Sequence, residues 1–231
     1  MWSSTAALVV LYLASVRTML GQRLDDAAMR QVARTVGATS WAELTLHAVS
    51  VASMLLATGL VVTAAAVLRG HRRAMIAAGA AGLVIGVAEL LKLVLERPVL
   101  SGEAAANSFP SGHVAAVSGL AVAVVVAVPR VSRGLVAVLA MGPVALTGLA
   151  TVVLQWHRPS DVVGSMVLAV AIGALATHLA DGRGIHRVPL SAGPSLLGGR
   201  GRGQPRSRRL TTSADSSRST TSRVSPTTAA R

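Results

Sequence analysis

Six blocks of apolar residues, each near the ~20 residues that a helix needs to cross the hydrocarbon of a bilayer, decide what this chain can fold into. They cover residues 5–20, 43–68, 74–95, 112–128, 135–154 and 162–180. The chain is 52% hydrophobic and only 13% charged, against about 25% charged in an ordinary soluble domain. So little charge cannot clothe a water-facing surface, and blocks of this length point to lipid as the solvent. The expected fold is therefore all-α: an integral membrane bundle of six transmembrane helices over residues 1–181, the first an uncleaved span. Cysteine is absent, which excludes disulfides and thiolate chemistry.

The net charge is +13, but ten of the 22 basic residues lie in the last fifty positions. That segment, 182–231, is rich in Gly, Ser, Thr and Pro, has a single acid in Asp215, and shows no apolar period. It reads as a disordered basic tail beside membrane lipids, where basic residues mark topology and touch anionic headgroups. Nucleic acid is not the expected partner, since the aromatic stacking residues used on single strands are missing. The short basic turns "RGHRR" and "PRVSRG" place both termini in the cytoplasm. The awkward piece is the first outer loop, "GQRLDDAAMRQVARTVG", which is also basic.

With six spans, three polar clusters distant in sequence fall on the same, extracytoplasmic side: "KLVLERP", "NSFPSGH" and "WHRPSD". In the last, His157 and Asp161 are four apart with Pro159 between them, suited to a helix's first turn. Asp161 can hold one imidazole nitrogen and leave the other nucleophilic. Alternatively, the pair is a polar helix start with the acid matched to the dipole. In the second, Ser108 suits a cap, Pro110 a first helical position, and Gly112 a close backbone approach. Free amides there, with the Ser111 hydroxyl, form an anion cradle beside His113, a proton-transfer group. Simple capping is the competing reading. In the first, Lys92 is flanked by Glu89 and Glu96 at helical spacing, and Lys92 and Arg97 are fixed cations of the kind phosphate chemistry uses. Those cations would repel a metal ion held by His113, His157 and Asp161, so neither a metal nor another cofactor is expected.

At these residues the chain resembles the type 2 phosphatidic acid phosphatases, lipid phosphate phosphatases related to vanadium haloperoxidases, and its Ala/Val/Arg-rich composition resembles actinobacterial members. The signature runs Lys-x6-Arg-Pro, Pro-Ser-Gly-His, then Ser-Arg-x5-His-x3-Asp. Pro110-Ser111-Gly112-His113 and the His157…Asp161 end of the third motif stand intact. Val99 and Leu100 replace the Arg-Pro of the first motif, with Arg97-Pro98 two residues early, and Ala150-Thr151 replace the Ser-Arg of the third. The resemblance implies a metal-independent lipid phosphatase in the cell membrane. His157 would attack phosphorus, Asp161 orient it, and His113 serve the leaving oxygen and then water. Lys92, Arg97, Ser111, Gly112 and Arg158 would hold the phosphate oxygens. The two lost arginines leave a second reading open: a catalytically impaired relative that binds phospholipid headgroups or a membrane partner. Which lipid phosphate is used, the oligomeric state and the role of the tail do not follow from the sequence.

Overall fold

The computed structural model describes residues 2–37, 39–100 and 107–182. The chain divides into two units, Met1–Arg187 and Val188–Arg231. The second, with most of the expected disordered tail, lies outside the described residues. Those residues are all-α: α1 (Trp2–Leu11), a π-helical turn (Tyr12–Val16), α2 (Met19–Val36), α3 (Ser40–Ala48), α4 (Val51–Arg69), α5 (His71–Val94), α6 (Gly112–Ala127), a 3₁₀ turn (Arg130–Ser132), α7 (Arg133–Val153) and α8 (Pro159–Ala180).

Among the described residues, four segments, Val51–Arg69, His71–Val94, Arg130–Val153 and Pro159–Ala180, are long and apolar enough to cross a membrane. A fifth arises if the first helices count as one broken span, Ser3–Val16 and Met19–Val36 being bent by 87°. Four to five candidate spans therefore stand where six were expected, because the first block is broken and the fourth is short, while the second is trimmed but still counts. Thr18 stops the first block: its side chain accepts from the Gly21 amide and starts α2 in a new direction. The second block is cut at Ser50, which caps α4 reciprocally with Ser53, so residues 43–48 belong to the separate helix α3. The fourth block forms α6, only 16 residues long and thus about 24 Å. This short helix packs on α4, α5, α7 and α8, so protein rather than lipid meets most of its surface.

Small residues allow that packing. Ala77, Ala80, Ala81, Val84 and Ala88 of α5 meet Ala115 and Ala123 of α6, and Leu168, Ala169, Ile172 and Ala176 of α8 complete the same core. Where α6 crosses α5, a Cβ on Gly119 would stand 3.0 Å from the Ala81 carbonyl oxygen, so any larger residue would push the two helices apart by a few tenths of an ångström. Close contact of small side chains is what drives helices together where lipid is as apolar as leucine. Large apolar side chains point outward instead, among them Leu55, Leu60, Val67, Leu93, Val138 and Val170, all at least 62% exposed. This arrangement is that of an integral membrane protein.

One end of the bundle is tied by charge. Asp181, just past α8, accepts from Arg133 Nη1 at 2.9 Å and Nη2 at 3.1 Å, and pairs with Arg130 at 2.8 Å and Arg73 at 3.4 Å. The start of α5, the start of α7 and the end of α8 thus share an end. By direction, the end of α5 and the starts of α6 and α8 share the other, where the three polar clusters sit.

Candidate active site

Asp161 is the centre of that second end. It is fully buried in the first turn of α8. Its Oδ2 accepts from the Ser108 hydroxyl at 2.6 Å and from the Arg158 amide at 3.0 Å, and its Oδ1 accepts from Arg97 Nη1 at 3.3 Å. His157 Nδ1 lies 3.6 Å from Oδ2, buried and with no hydrogen-bond partner. Asp161 therefore faces that nitrogen at ion-pair distance, while Nε2 is left for chemistry. The turn before α8 aims the ring. Gln155 adopts a left-handed φ of 57°, and the Thr151 carbonyl accepts from the Trp156 and His157 amides at 2.9 and 3.2 Å.

The Pro-Ser-Gly-His stretch is bolted to the same aspartate. The Ser111 amide donates to the Asp161 carbonyl at 3.0 Å, and Ser165 Oγ bridges the Ser111 and Asp161 carbonyls at 2.7 and 3.1 Å. Phe109 is buried against Gly164, where a Cβ would come within 2.6 Å of the ring, and against Tyr12, at 5.7 Å between rings. The helix cap is Ser111, whose hydroxyl accepts from the Val114 amide at 3.5 Å. Ser108, expected as the cap, serves Asp161 instead. His113 is carried to within 6.3 Å of His157 and 5.8 Å of Trp156, centroid to centroid.

The two histidines, Gly112 and Lys92 open into one cleft of about 720 Å³ between α4, α5 and α6. Its other walls are apolar, with Met54, Ala78, Gly82 and Ile85 among them. Lys92 Nζ donates to Glu89 at 2.7 Å. Of the cations assigned to phosphate by resemblance, Lys92 lines the cleft and the two arginines do not. The Arg97 side chain is 4% exposed and spans Asp161, Ser108 and Asp25. Arg158 is buried and pairs with Asp26. Ser111 is buried too, its hydroxyl spent on capping. Thr151, at the place of the motif arginine, is buried and bonds back to the Gly148 carbonyl.

The residues missed by sequence reasoning are on α2, the awkward basic loop. Gln22, Asp25, Asp26 and Met29 form its buried face. Asp25 accepts from the Ser160 amide at 3.0 Å and from its hydroxyl, and Asp26 takes Arg158. Gln22 ties the segment that lost the motif arginine, donating to the Pro98 carbonyl at 2.7 Å and accepting from the Leu100 amide at 3.2 Å. The signal was present as an i, i+3, i+4, i+7 stripe, but the stripe is polar, so a search for apolar periodicity passes over it.

Against this geometry, comparison with family models matches residues 73–185 to the PAP2 superfamily. Those residues form a PAP2 superfamily domain. It contains Lys92, Arg97, the Pro-Ser-Gly-His stretch and the His157–Asp161 pair, while α1 to α4, including the bracing helix α2, precede it. No curated protein and no solved structure matches the chain. Members of the superfamily are typically phosphatases, and the apolar helices of this chain are those of a membrane protein.

Proposed function

We propose that the protein is a membrane phosphatase that hydrolyses a lipid phosphate or diphosphate through a phosphohistidine. The observation that carries this reading is the pair of histidines facing one cleft, with His157 backed by buried Asp161 and His113 on the first turn of α6. Nε2 of His157 attacks phosphorus in line, and the P–O bond to the lipid breaks as His113 gives its proton to the departing oxygen. His113 then takes a proton from water, whose oxygen attacks phosphorus and releases His157. Asp161 stabilises the imidazolium in the first step. Lys92 and the unpaired amides at the start of α6 stabilise the phosphoryl oxygens. Arg97 and Arg158 act at one remove: Arg97 braces Asp161, and Arg158, locked to Asp26, fixes the start of α8.

The apolar walls below the histidines favour a lipid over a soluble phosphate ester, since a tail laid between α4, α5 and α6 leaves its phosphate at Lys92. Purified protein in detergent is expected to release phosphate from lipid phosphates, and His157→Ala to abolish release. Wild-type turnover in His157→Ala overturns the mechanism.

A second reading has its own observation: among the described residues, no guanidinium lines the cleft. Losing one oxyanion donor costs on the order of 3 kcal/mol of transition-state stabilisation, so a relative that binds headgroups without turnover fits as well. Trapping with radiolabelled substrate separates the two. A phosphohistidine supports catalysis; lipid bound with no trapped label supports the binding role.

A further inference from the structure

Glu89 is a charged residue of the cleft for which phosphoryl transfer has no task. Its side chain is 54% exposed, and Oε1 accepts from Lys92 at 2.7 Å. Both Oε1 and Lys92 Nζ lie 2.7 Å from where a Cβ on Gly112 would be, so the carboxylate stands over the first residue of α6, at the edge of the phosphate cradle. A carboxylate there opposes an incoming phosphate, and its acceptor capacity of about four hydrogen bonds is met by one donor among the described residues.

Position along α5 gives it a use. Lys92 lies near the helix end; Glu89, three residues earlier, is about 4.5 Å further along the cleft. Ile85, Gly82, Ala81 and Ala78 continue the same wall. A lipid with its phosphoryl group between Lys92 and His157 and its tail along that wall sets its first carbons beside Glu89. When Lys92 turns toward the phosphate, a donor on the lipid restores the partner that Glu89 loses. A lipid with only ester or hydrocarbon at that point leaves the carboxylate unpaired next to a phosphate.

We propose that Glu89 is a specificity-determining residue that reads a hydrogen-bond donor, hydroxyl or ammonium, on the carbon adjacent to the one that bears the phosphate. This rests on the lipid-phosphate reading above. The favoured substrates are then monoacylglycerol phosphates and sphingoid-base phosphates, over diacyl, prenyl or plain alkyl phosphates.

The test compares kcat/KM of the full chain in detergent for three lipids of equal tail length: a monoacylglycerol phosphate (hydroxyl), a sphingoid-base phosphate (ammonium) and an alkyl phosphate (neither). A charge-assisted hydrogen bond gives the wild type a preference of about tenfold or more for the first two. Glu89→Ala brings both ratios to within about twofold. The near-isosteric Glu89→Gln, still an acceptor but uncharged, keeps part of the hydroxyl preference and loses the ammonium preference. Any general gain from freeing Lys92 raises all three lipids together and leaves the ratios alone. Equal rates in the wild type, or ratios unchanged in both variants, overturn the proposal. If no lipid releases phosphate, the hydrolytic reading fails, and the same ratios are measured as binding by native mass spectrometry. An ammonium preference lost in Glu89→Gln, with both preferences lost in Glu89→Ala, then still supports the role of Glu89, and equal binding overturns it.

Discussion

Arg158 sits next to the proposed nucleophile, yet its side chain turns to Asp26 on α2, and both are buried. The pair matters for what happens when it is broken. Removing one partner strands a charge in a dry interior, which costs about 3–5 kcal/mol. Asp26→Ala is therefore expected to lower the thermal midpoint in detergent sharply, as read by differential scanning fluorimetry. Replacing both partners with apolar residues of similar size (Asp26→Leu with Arg158→Met) should recover most of the loss, because no charge is left unpaired. A double variant as unstable as Asp26→Ala would count against a role for charge pairing. The His157–Asp161 pair was legible in the sequence because four-residue spacing in a helix start is local geometry. The partners of Arg97 and Arg158 were not, since Asp25 and Asp26 lie more than 70 residues before the nearer arginine and only α2 brings them in.

Among the elements, α6 and α8 are joined at the site by one close approach. Gly164 admits the Phe109 ring, and Phe109 holds the stretch that carries His113. Gly164→Ala puts a methyl 2.6 Å from a ring carbon of the fully buried Phe109, so the ring or the helix must shift. Overpacking of this kind costs about 1–3 kcal/mol, and here it also displaces His113 from His157. The expected result is a lower midpoint and a larger fall in kcat than in lipid binding, measured together. The same methyl at Gly86, inside α5 with nothing within 4 Å, should leave kcat unchanged and hold or raise the midpoint, since alanine favours the helix. The helices themselves followed from apolar block length. Where they stop did not, because Thr18 and Ser50 are ordinary residues whose capping role depends on the chain's next turn.

For the whole molecule, the bundle end tied by Asp181 and the end carrying the histidines must lie on opposite sides of the membrane if α5, α6 and α8 cross it. The absence of cysteine makes this open to single-cysteine labelling with an impermeant reagent. Arg69→Cys and Val131→Cys, both exposed, should label from one side, and that side should be the cytoplasm. Val99→Cys, 58% exposed, should label from the other. Labelling of all three from the same side would mean that α5 does not cross and that the site is misplaced relative to the bilayer.

The sequence by itself determined the solvent, the helical class and the His157–Asp161 pair, because apolar run length and four-residue spacing are properties of the chain alone, whereas His113 reaches that pair through the packing of α6 on α8. Tertiary structure decided which charges face the cleft. Burial sent Arg97 and Arg158 to the carboxylates of α2 and α8, where each ion finds a partner away from water, and left Lys92 with Glu89 at the lipid-sized opening. A charge's role in a membrane protein depends on what lies across from it, and that is set by packing between helices rather than by position along the chain.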